Sequence, residues 1–406
     1  MKVVITPSKA SGCVCAPPSK SMAHRALICG ALAGNSTIHN LAWSQDVLAT
    51  LGCLQSLGCS VEQHGDCVKL GSFTPASVNE NAVLECNESG STLRFMLPLC
   101  LLCDRPVLLR GSRRLLERPL GVYESICSRQ GIIFERREDA ILVCGRLRPG
   151  HYSVPGNVSS QFITGLLFTL PLLDGDSTLE ITGTLESASY IELTLSVMRH
   201  YGIKIDKQND CYLIPGRQTY TSADYTVEGD CSNAAFLEAF NYIGGDVQVD
   251  GLAENTQQGD RVYKDIFASL AAGRREFDLS DCPDLAPVLF SVAAVLGCAR
   301  FTGTARLRIK ESDRGAAMAA ELAKFGITVR VEDNLVDVLP STLRRPVEDL
   351  WGHNDHRIVM ALSLLCSITG GTIDGAQAVA KSYPDFFDIL KVLQIGVVSD
   401  NEYEFL

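Results

Sequence analysis

The sequence predicts an α/β protein of two domains, each assembled from about three copies of one unit: a helix, a glycine and a hairpin. Three observations carry this reading. At 406 residues the chain exceeds the size at which a single hydrophobic core stops growing. An amphipathic helix pattern, a glycine and two short strand-like runs joined by a polar turn recur along it. A dinucleotide-binding fold would need an early G-x-G-x-x-G between strand and helix, and the chain has none.

The good copies follow in order. Asp46 to Leu70 turns at Gly58, Leu120 to Val143 at Gly131, Tyr190 to Ile214 at Gly202, and Asp313 to Leu339 at Gly326. Each glycine falls just past a helical pattern, where a left-handed cap favours a residue without a Cβ. The first three recur about 70 residues apart. Val262 to Ala272 reads as a weaker copy, and FFDILKVLQIGVV around Gly396 as a truncated last one, giving about six units. Helix–glycine–strand runs also arise in ordinary α/β proteins. The shared hairpin after the glycine weighs against that alternative.

Composition narrows the function classes. An apolar content of 46% and a charged content of 20% are those of a folded globular chain. The start, MKVVITPSKASG, lacks a signal-peptide apolar region, so export is not expected and a cytoplasmic location is. The longest apolar stretch, Leu285 to Ala299, is broken by Pro287 and Ser291 and is too short to span a bilayer. Sixteen scattered cysteines in such a chain read as buried thiols, and Cys100-x-x-Cys103 lacks the second pair that zinc needs. A formal charge of −11 argues against nucleic-acid or anionic-membrane partners.

The chemistry lies in short segments that set cations beside Gly, Ser and Asn. Pro18-Ser19-Lys20-Ser21 leads into an apolar helical pattern that a serine cap can open, and Arg25 lies one turn beyond Ser21. Asn87-Glu88-Ser89-Gly90-Ser91-Thr92-Leu93-Arg94 repeats the arrangement, with Gly90 permitting close approach of a ligand. Arg113 and Arg114 precede Glu117-Arg118-Pro119, and Ser159-Ser160-Gln161 opens another apolar run. The second half adds Pro283-Asp284, then Lys310-Glu311-Ser312-Asp313-Arg314, Asn354-Asp355-His356-Arg357 and Lys381-Ser382-Tyr383-Pro384-Asp385. Singly, each segment reads equally well as a capped helix, a surface turn or an ion-pair lattice. Together they imply a small ligand carrying several phosphate or carboxylate groups, held between domains. No Walker motif, metal-spaced His/Cys set or G-x-S-x-G elbow accompanies them.

In this order, over nearly the whole chain, the segments resemble the 5-enolpyruvylshikimate-3-phosphate synthase family, through its S-K-S…R, N-x-G-T…R, S-S-Q, K-E-[ST]-D-R, N-D-H-R and A-K-S-x-P-D patterns. The resemblance implies two similar domains of three βαβαββ-type repeats, the inside-out α/β barrel of enolpyruvyl transferases. It implies a crossed topology: residues 1–17 join 226–406 as one domain, 18–225 form the other, the active site lies in the cleft, and Pro17 and Tyr225 mark hinges. The implied substrates are shikimate 3-phosphate and phosphoenolpyruvate, with no metal or organic cofactor; a monomer is the default.

The resemblance also assigns residues. Lys20, Ser21, Arg25, Ser159, Ser160, Gln161, Ser187, Tyr190 and Lys310 would contact shikimate 3-phosphate. Gly90, Arg114, Arg314, Arg357 and Lys381 would hold phosphoenolpyruvate, with Lys20 and Gln161 near both substrates and Arg94 a further substrate-binding residue. Asp284 matches the family's proton acceptor, and Glu311, with Lys20, its proton-transfer partner. The chain departs from the pattern at Glu88-Ser89-Gly90-Ser91, where many members have Asn-Ala-Gly-Thr, at Arg306, which replaces an asparagine, and at Leu116, which replaces a basic residue. A UDP-N-acetylglucosamine enolpyruvyl transferase is the nearest rival, but its lysine-asparagine pair is absent because Ser21 follows Lys20. A non-catalytic anion-binding protein on the same scaffold is the rival of another class.

Overall fold

Small polar caps start the helices that matter here. In a computed structural model that describes residues 1–74, 78 and 82–400, Ser19, Ser89 and Ser159 cap the helices Lys20–Ala33, Gly90–Cys100 and Ser160–Thr169. Asp230, Asp313 and Asp355 do the same for Cys231–Glu238, Arg314–Lys324 and His356–Thr369. Each cap's side-chain oxygen accepts a hydrogen bond from a first-turn N–H that the helix itself leaves unpaired.

The chain divides into two units, one of Pro18–Glu228 and one of Met1–Pro17 with the residues from Gly229 onward. The second crossing falls after Glu228, three residues past Tyr225, because the strand Tyr225–Thr226 pairs in parallel with Ile38 and His39.

In the 18–228 unit, three four-stranded sheets share one order: a parallel pair, then a hairpin laid antiparallel against it. In the first sheet Tyr225–Thr226 and Ser36–His39 carry the hairpin Val61–His64 and Cys67–Leu70. In the next, Ala82–Glu85 and Val107–Arg110 carry Ile133–Arg136 and Ala140–Cys144. In the third, His151–Pro155 and Ser177–Thr182 carry Asp206–Gln208 and Cys211–Ile214. Helices Gly90–Cys100 and Ser160–Thr169 are buried along almost their whole length, whereas the outer hairpin strands are largely exposed. The layers are therefore inverted: helices form the core and the sheets face water on one side.

In the other unit, Glu276–Asp278 and Ala299–Thr302 carry the hairpin Val329–Val331 and Leu335–Val338 in the same order. Two expectations are modified there. The weak copy at Val262 to Ala272 does contain a helix, Tyr263–Ala271, but its sheet is only the parallel pair Ser11–Cys15 and Asp246–Asp250 among the described residues. Four residues separate that helix from Glu276–Asp278, a strand of the next sheet, which leaves no length for a hairpin. The truncated copy near Gly396 is completed by the start of the chain: Lys2–Thr6 lies antiparallel between Gly371–Asp374 and Gly396–Ser399. Gly396 serves that pairing, since a Cβ there would collide with Thr6 Oγ1, while the positive φ after the last helix falls on Gln394. The four glycines of the good copies all have φ between +70° and +99°.

All sixteen cysteines are free thiols, most of them buried. Cys100 and Cys103 lie in the core, where the Cys103 thiol donates to the Cys100 carbonyl. No helix among the described residues is long and apolar enough to cross a membrane.

Candidate active site

Capped helix starts supply positive electrostatic ends; Lys20, Arg314 and Arg357 stand in the first turn of such helices, and Arg25 and Arg94 about one turn further in. In the 18–228 unit Lys20, the first residue of its helix, pairs with Asp46 at 2.8 Å, and both side chains are mostly buried. Arg25, one turn on from Ser21, donates to the Ser21 carbonyl at 2.7 Å, to Thr194 Oγ1 at 2.8 Å and to the Tyr190 carbonyl at 3.1 Å. Burial pulls the Arg25 guanidinium down to about 10, which leaves it charged at neutral pH. Ser187 is buried in the left-handed conformation (φ +57°) at the head of Ala188–His200, the helix that carries Tyr190.

The second group is built on Gly90. Arg94 donates to Gln161 Oε1 at 2.7 Å, and Gln161 Nε2 donates to Ser91 Oγ at 3.0 Å, so the starts of helices Gly90–Cys100 and Ser160–Thr169 meet. Ser159 caps the latter helix by accepting from the Gln161 N–H, and Ser160 is buried beside it. A Cβ on Gly90 would stand 2.6 Å from a terminal nitrogen of Arg118 and 3.1 Å from one of Arg94. The arginine placed against Gly90 is therefore Arg118, which is buried; Arg114 is exposed on the short helix Arg113–Glu117. The motifs point to Arg114 and not to Arg118 or Asp46, whereas Arg118 is the buried arginine and Asp46 the partner of Lys20. The available signal was position: Arg118 follows a one-turn helix and precedes Pro119, while Asp46 lies in a first turn capped by Ser44.

In the other unit, Asp284 enters from the turn Pro283–Leu285 at the head of helix Ala286–Leu296. Its carboxylate accepts from Lys310 at 3.1 Å, Arg314 at 2.8 Å and Arg357 at 3.2 Å. Burial alone would push the Asp284 carboxyl up, but Arg357, Lys310 and Arg314 outweigh it and hold the group well below the usual carboxylate range. Burial pulls the Lys310 ammonium below its usual value, with Asp284 opposing and Arg314 and Arg306 adding to the shift.

Arg314, 1% exposed, also holds Glu311 Oε2 at 2.8 Å and Asp355 Oδ2 at 2.9 Å. Burial works against its charge, yet Asp355, Glu311 and Asp284 together raise its pKa above the ordinary guanidinium value. Asp355, fully buried, caps helix His356–Thr369 through the Arg357 N–H and accepts from Ser312 Oγ. The Asn354-Asp355-His356-Arg357 motif points only to Arg357; Asp355 is marked in the sequence by its cap position before an apolar helix. Lys381, also buried, donates to the Asn354 carbonyl. The structure thus joins Asp284, Lys310, Glu311, Arg314 and Arg357 through one network of ion pairs.

Each unit by itself thus offers groups suited to a small polyanion: a glycine with arginines over it in the 18–228 unit, and a half-buried acid among bases in the other. The fold is one that solved structures share: an enolpyruvyl transferase, NikO from Streptomyces tendae, superimposes with a TM-score of 0.77 at 16% identity over 98% of each chain. A solved EPSP synthase from Acinetobacter baumannii gives 0.79 at 20% identity, over 98% of this chain and 100% of that one. At the level of sequence, a relative from Clostridium novyi (strain NT) named 3-phosphoshikimate 1-carboxyvinyltransferase is 40% identical over 418 residues, 95% of each chain. The family model described as EPSP synthase (3-phosphoshikimate 1-carboxyvinyltransferase) matches residues 4–390. The chain belongs to the EPSP synthase family.

Proposed function

We propose that the protein transfers the carboxyvinyl group of phosphoenolpyruvate to the 5-hydroxyl of shikimate 3-phosphate and releases phosphate, a step of the shikimate pathway toward chorismate and the aromatic amino acids. Family membership supports the reaction. The observation that carries the chemistry is Asp284, a carboxylate shared by Lys310, Arg314 and Arg357.

The reaction needs a base at the acceptor hydroxyl and an acid at the methylene carbon. Asp284 takes the hydroxyl proton as the oxygen bonds to C2 of phosphoenolpyruvate, and Glu311 or Lys20 delivers a proton to C3. The tetrahedral intermediate then loses phosphate from C2 and a proton from C3, so acid and base exchange roles. A carboxylate under three cations is a weak base. The substrates' anionic groups compete for those same cations, and as Lys310 and Arg357 turn toward them, the Asp284 pKa rises and its basicity is released.

Gly90, Arg94, Arg118, Arg314, Arg357 and Lys381 take the phosphoenolpyruvate side in this reading. Ser21, Arg25, Ser159, Ser160, Gln161, Ser187, Tyr190 and Lys310 take the shikimate 3-phosphate side, with Lys20 serving both. Arg114 keeps only its sequence-based claim. On this reading the enzyme works in the cytoplasm as a monomer, with these two substrates as its partners and no cofactor.

The test is turnover. Purified protein with both substrates should release inorganic phosphate and form an enol ether detectable by proton NMR, whereas UDP-N-acetylglucosamine as acceptor should yield neither. Product only from the nucleotide sugar would move the assignment to the rival transferase, and no product from either acceptor would leave an anion-binding protein.

A further inference from the structure

Behind Lys20, Asp46 and Gly90 runs a chain of buried polar groups that the reaction itself does not use. His24 Nδ1 lies 2.7 Å from Thr50 Oγ1, Thr50 Oγ1 lies 2.7 Å from Thr92 Oγ1, and the Thr92 hydroxyl donates to Ser89 Oγ at 2.7 Å. All four residues are at most 1% exposed.

Their positions in sequence give the chain a purpose. His24 lies one helical turn beyond Lys20, and Thr50 one turn beyond Asp46. Helices Lys20–Ala33 and Gln45–Ser56 are thus bridged twice, by the Lys20–Asp46 ion pair and, one turn deeper, by the His24–Thr50 hydrogen bond. Two bridges a turn apart fix the rotation of one helix against the other, which a single bridge leaves free. Thr92 extends the tie to the helix that Gly90 begins, and its hydroxyl also lies 3.5 Å from the Asp46 carbonyl.

Proton accounting sets the polarity. Thr92 has one hydroxyl proton and gives it to Ser89, so Thr50 donates to Thr92 and accepts from His24. His24 therefore carries its proton on Nδ1, leaving Nε2 buried without a hydrogen-bond partner. Retaining an imidazole with one unsatisfied nitrogen in the core is costly. The benefit lies in its other nitrogen. Burial, with Lys20 and Arg25 adding to it, holds His24 far below its usual pKa, so the relay keeps its form throughout the neutral range.

We infer that His24, Thr50 and Thr92 are positioning residues that hold Lys20 and Gly90 in the register phosphoenolpyruvate needs, without themselves touching either substrate. The inference rests on the catalytic reading above.

Thr50→Val removes the central hydroxyl at nearly constant volume, and Thr50→Ser keeps it. The valine variant should raise KM for phosphoenolpyruvate roughly three- to tenfold, the effect of one hydrogen bond, with KM for shikimate 3-phosphate and kcat much less changed. The serine variant should restore wild-type KM, and the Nδ1–H resonance of His24 should be present in wild type and T50S and shifted in T50V. A wild-type KM in T50V, or a T50S as impaired as T50V, overturns the relay. If T50V does not fold, Thr92→Val puts the same question from the other end, with the same two outcomes. An inactive wild type, by contrast, overturns the catalytic reading and this inference with it.

Discussion

Arg314 and Asp284 are joined by a 2.8 Å hydrogen bond, and the same guanidinium holds Glu311 and Asp355 with its remaining nitrogens. The proposed base is therefore oriented by an arginine that is itself immobilised from behind. Substitutions in this network should separate chemistry from architecture.

Asp284→Asn keeps the shape and removes the base. Shikimate 3-phosphate should still bind within several-fold of wild type by calorimetry, while kcat falls by a factor on the order of 10²–10⁴ in single-turnover kinetics. Near-normal kcat would shift the proton-accepting role to Glu311 or Lys20.

Arg118 and Arg114 make opposite predictions. Arg118→Ala removes the cation against Gly90 and should raise KM for phosphoenolpyruvate roughly ten- to hundredfold, the effect of a hydrogen bond to a charged group. Arg114→Ala, at an exposed position, should stay within about twofold. Steady-state kinetics on both variants decide between them.

Gly90→Ala pushes a methyl group toward the Arg118 and Arg94 guanidinium groups. Because those are the far ends of flexible side chains, they yield, and at this first helical position the alanine stabilises through the unfolded chain's reduced freedom by roughly 0.4–1 kcal/mol. KM for phosphoenolpyruvate should rise while the melting temperature holds or increases. A fall in both stability and affinity would mean that the methyl meets something rigid.

Asp355→Asn should act on folding. It removes one of three carboxylates on a fully buried guanidinium; because Asp284 and Glu311 remain, the cost should fall below the roughly 3–5 kcal/mol of a pair whose surviving charge is left alone. The Asp284 carboxyl gives a signature in pH. Its folded pKa lies well below the unfolded value near 3.8, so its contribution is full above that value and is lost as pH falls toward the folded pKa. The stability difference between wild type and D284N should be flat from pH 7 to about 4 and shrink below. A difference that fades between pH 7 and 5 would place the carboxyl's folded pKa higher than the three cations allow.

Local signals carried much of this structure. Gly58, Gly131, Gly202 and Gly326 were readable because a left-handed cap has a residue preference, and each does precede a hairpin. Pairing between distant segments left no such mark. Lys2–Thr6 is a short apolar run, Val3-Val4-Ile5, of the kind many strands have, and nothing in it names Gly371–Asp374 and Gly396–Ser399 as neighbours. Arg114 and Arg118 sit four residues apart around a one-turn helix, so spacing alone could not say which turns inward. His24 and Thr50 looked like ordinary members of apolar helices, because a buried hydrogen bond between helices depends on their packing.

The strand Lys2–Thr6 sets a condition on the order of events as the protein is made. It leaves the ribosome before either of the strands that flank it, whereas residues 18–228 contain every strand their own three sheets need. That segment is free to fold during synthesis. The first strand must meanwhile wait, with both edges unpaired, until nearly four hundred residues have been added. A chain stalled before Gly371 keeps those edges open, offering an apolar template to any passing strand. Incomplete chains should therefore aggregate through residues 2–6, and a soluble partner covering that segment during translation would protect them.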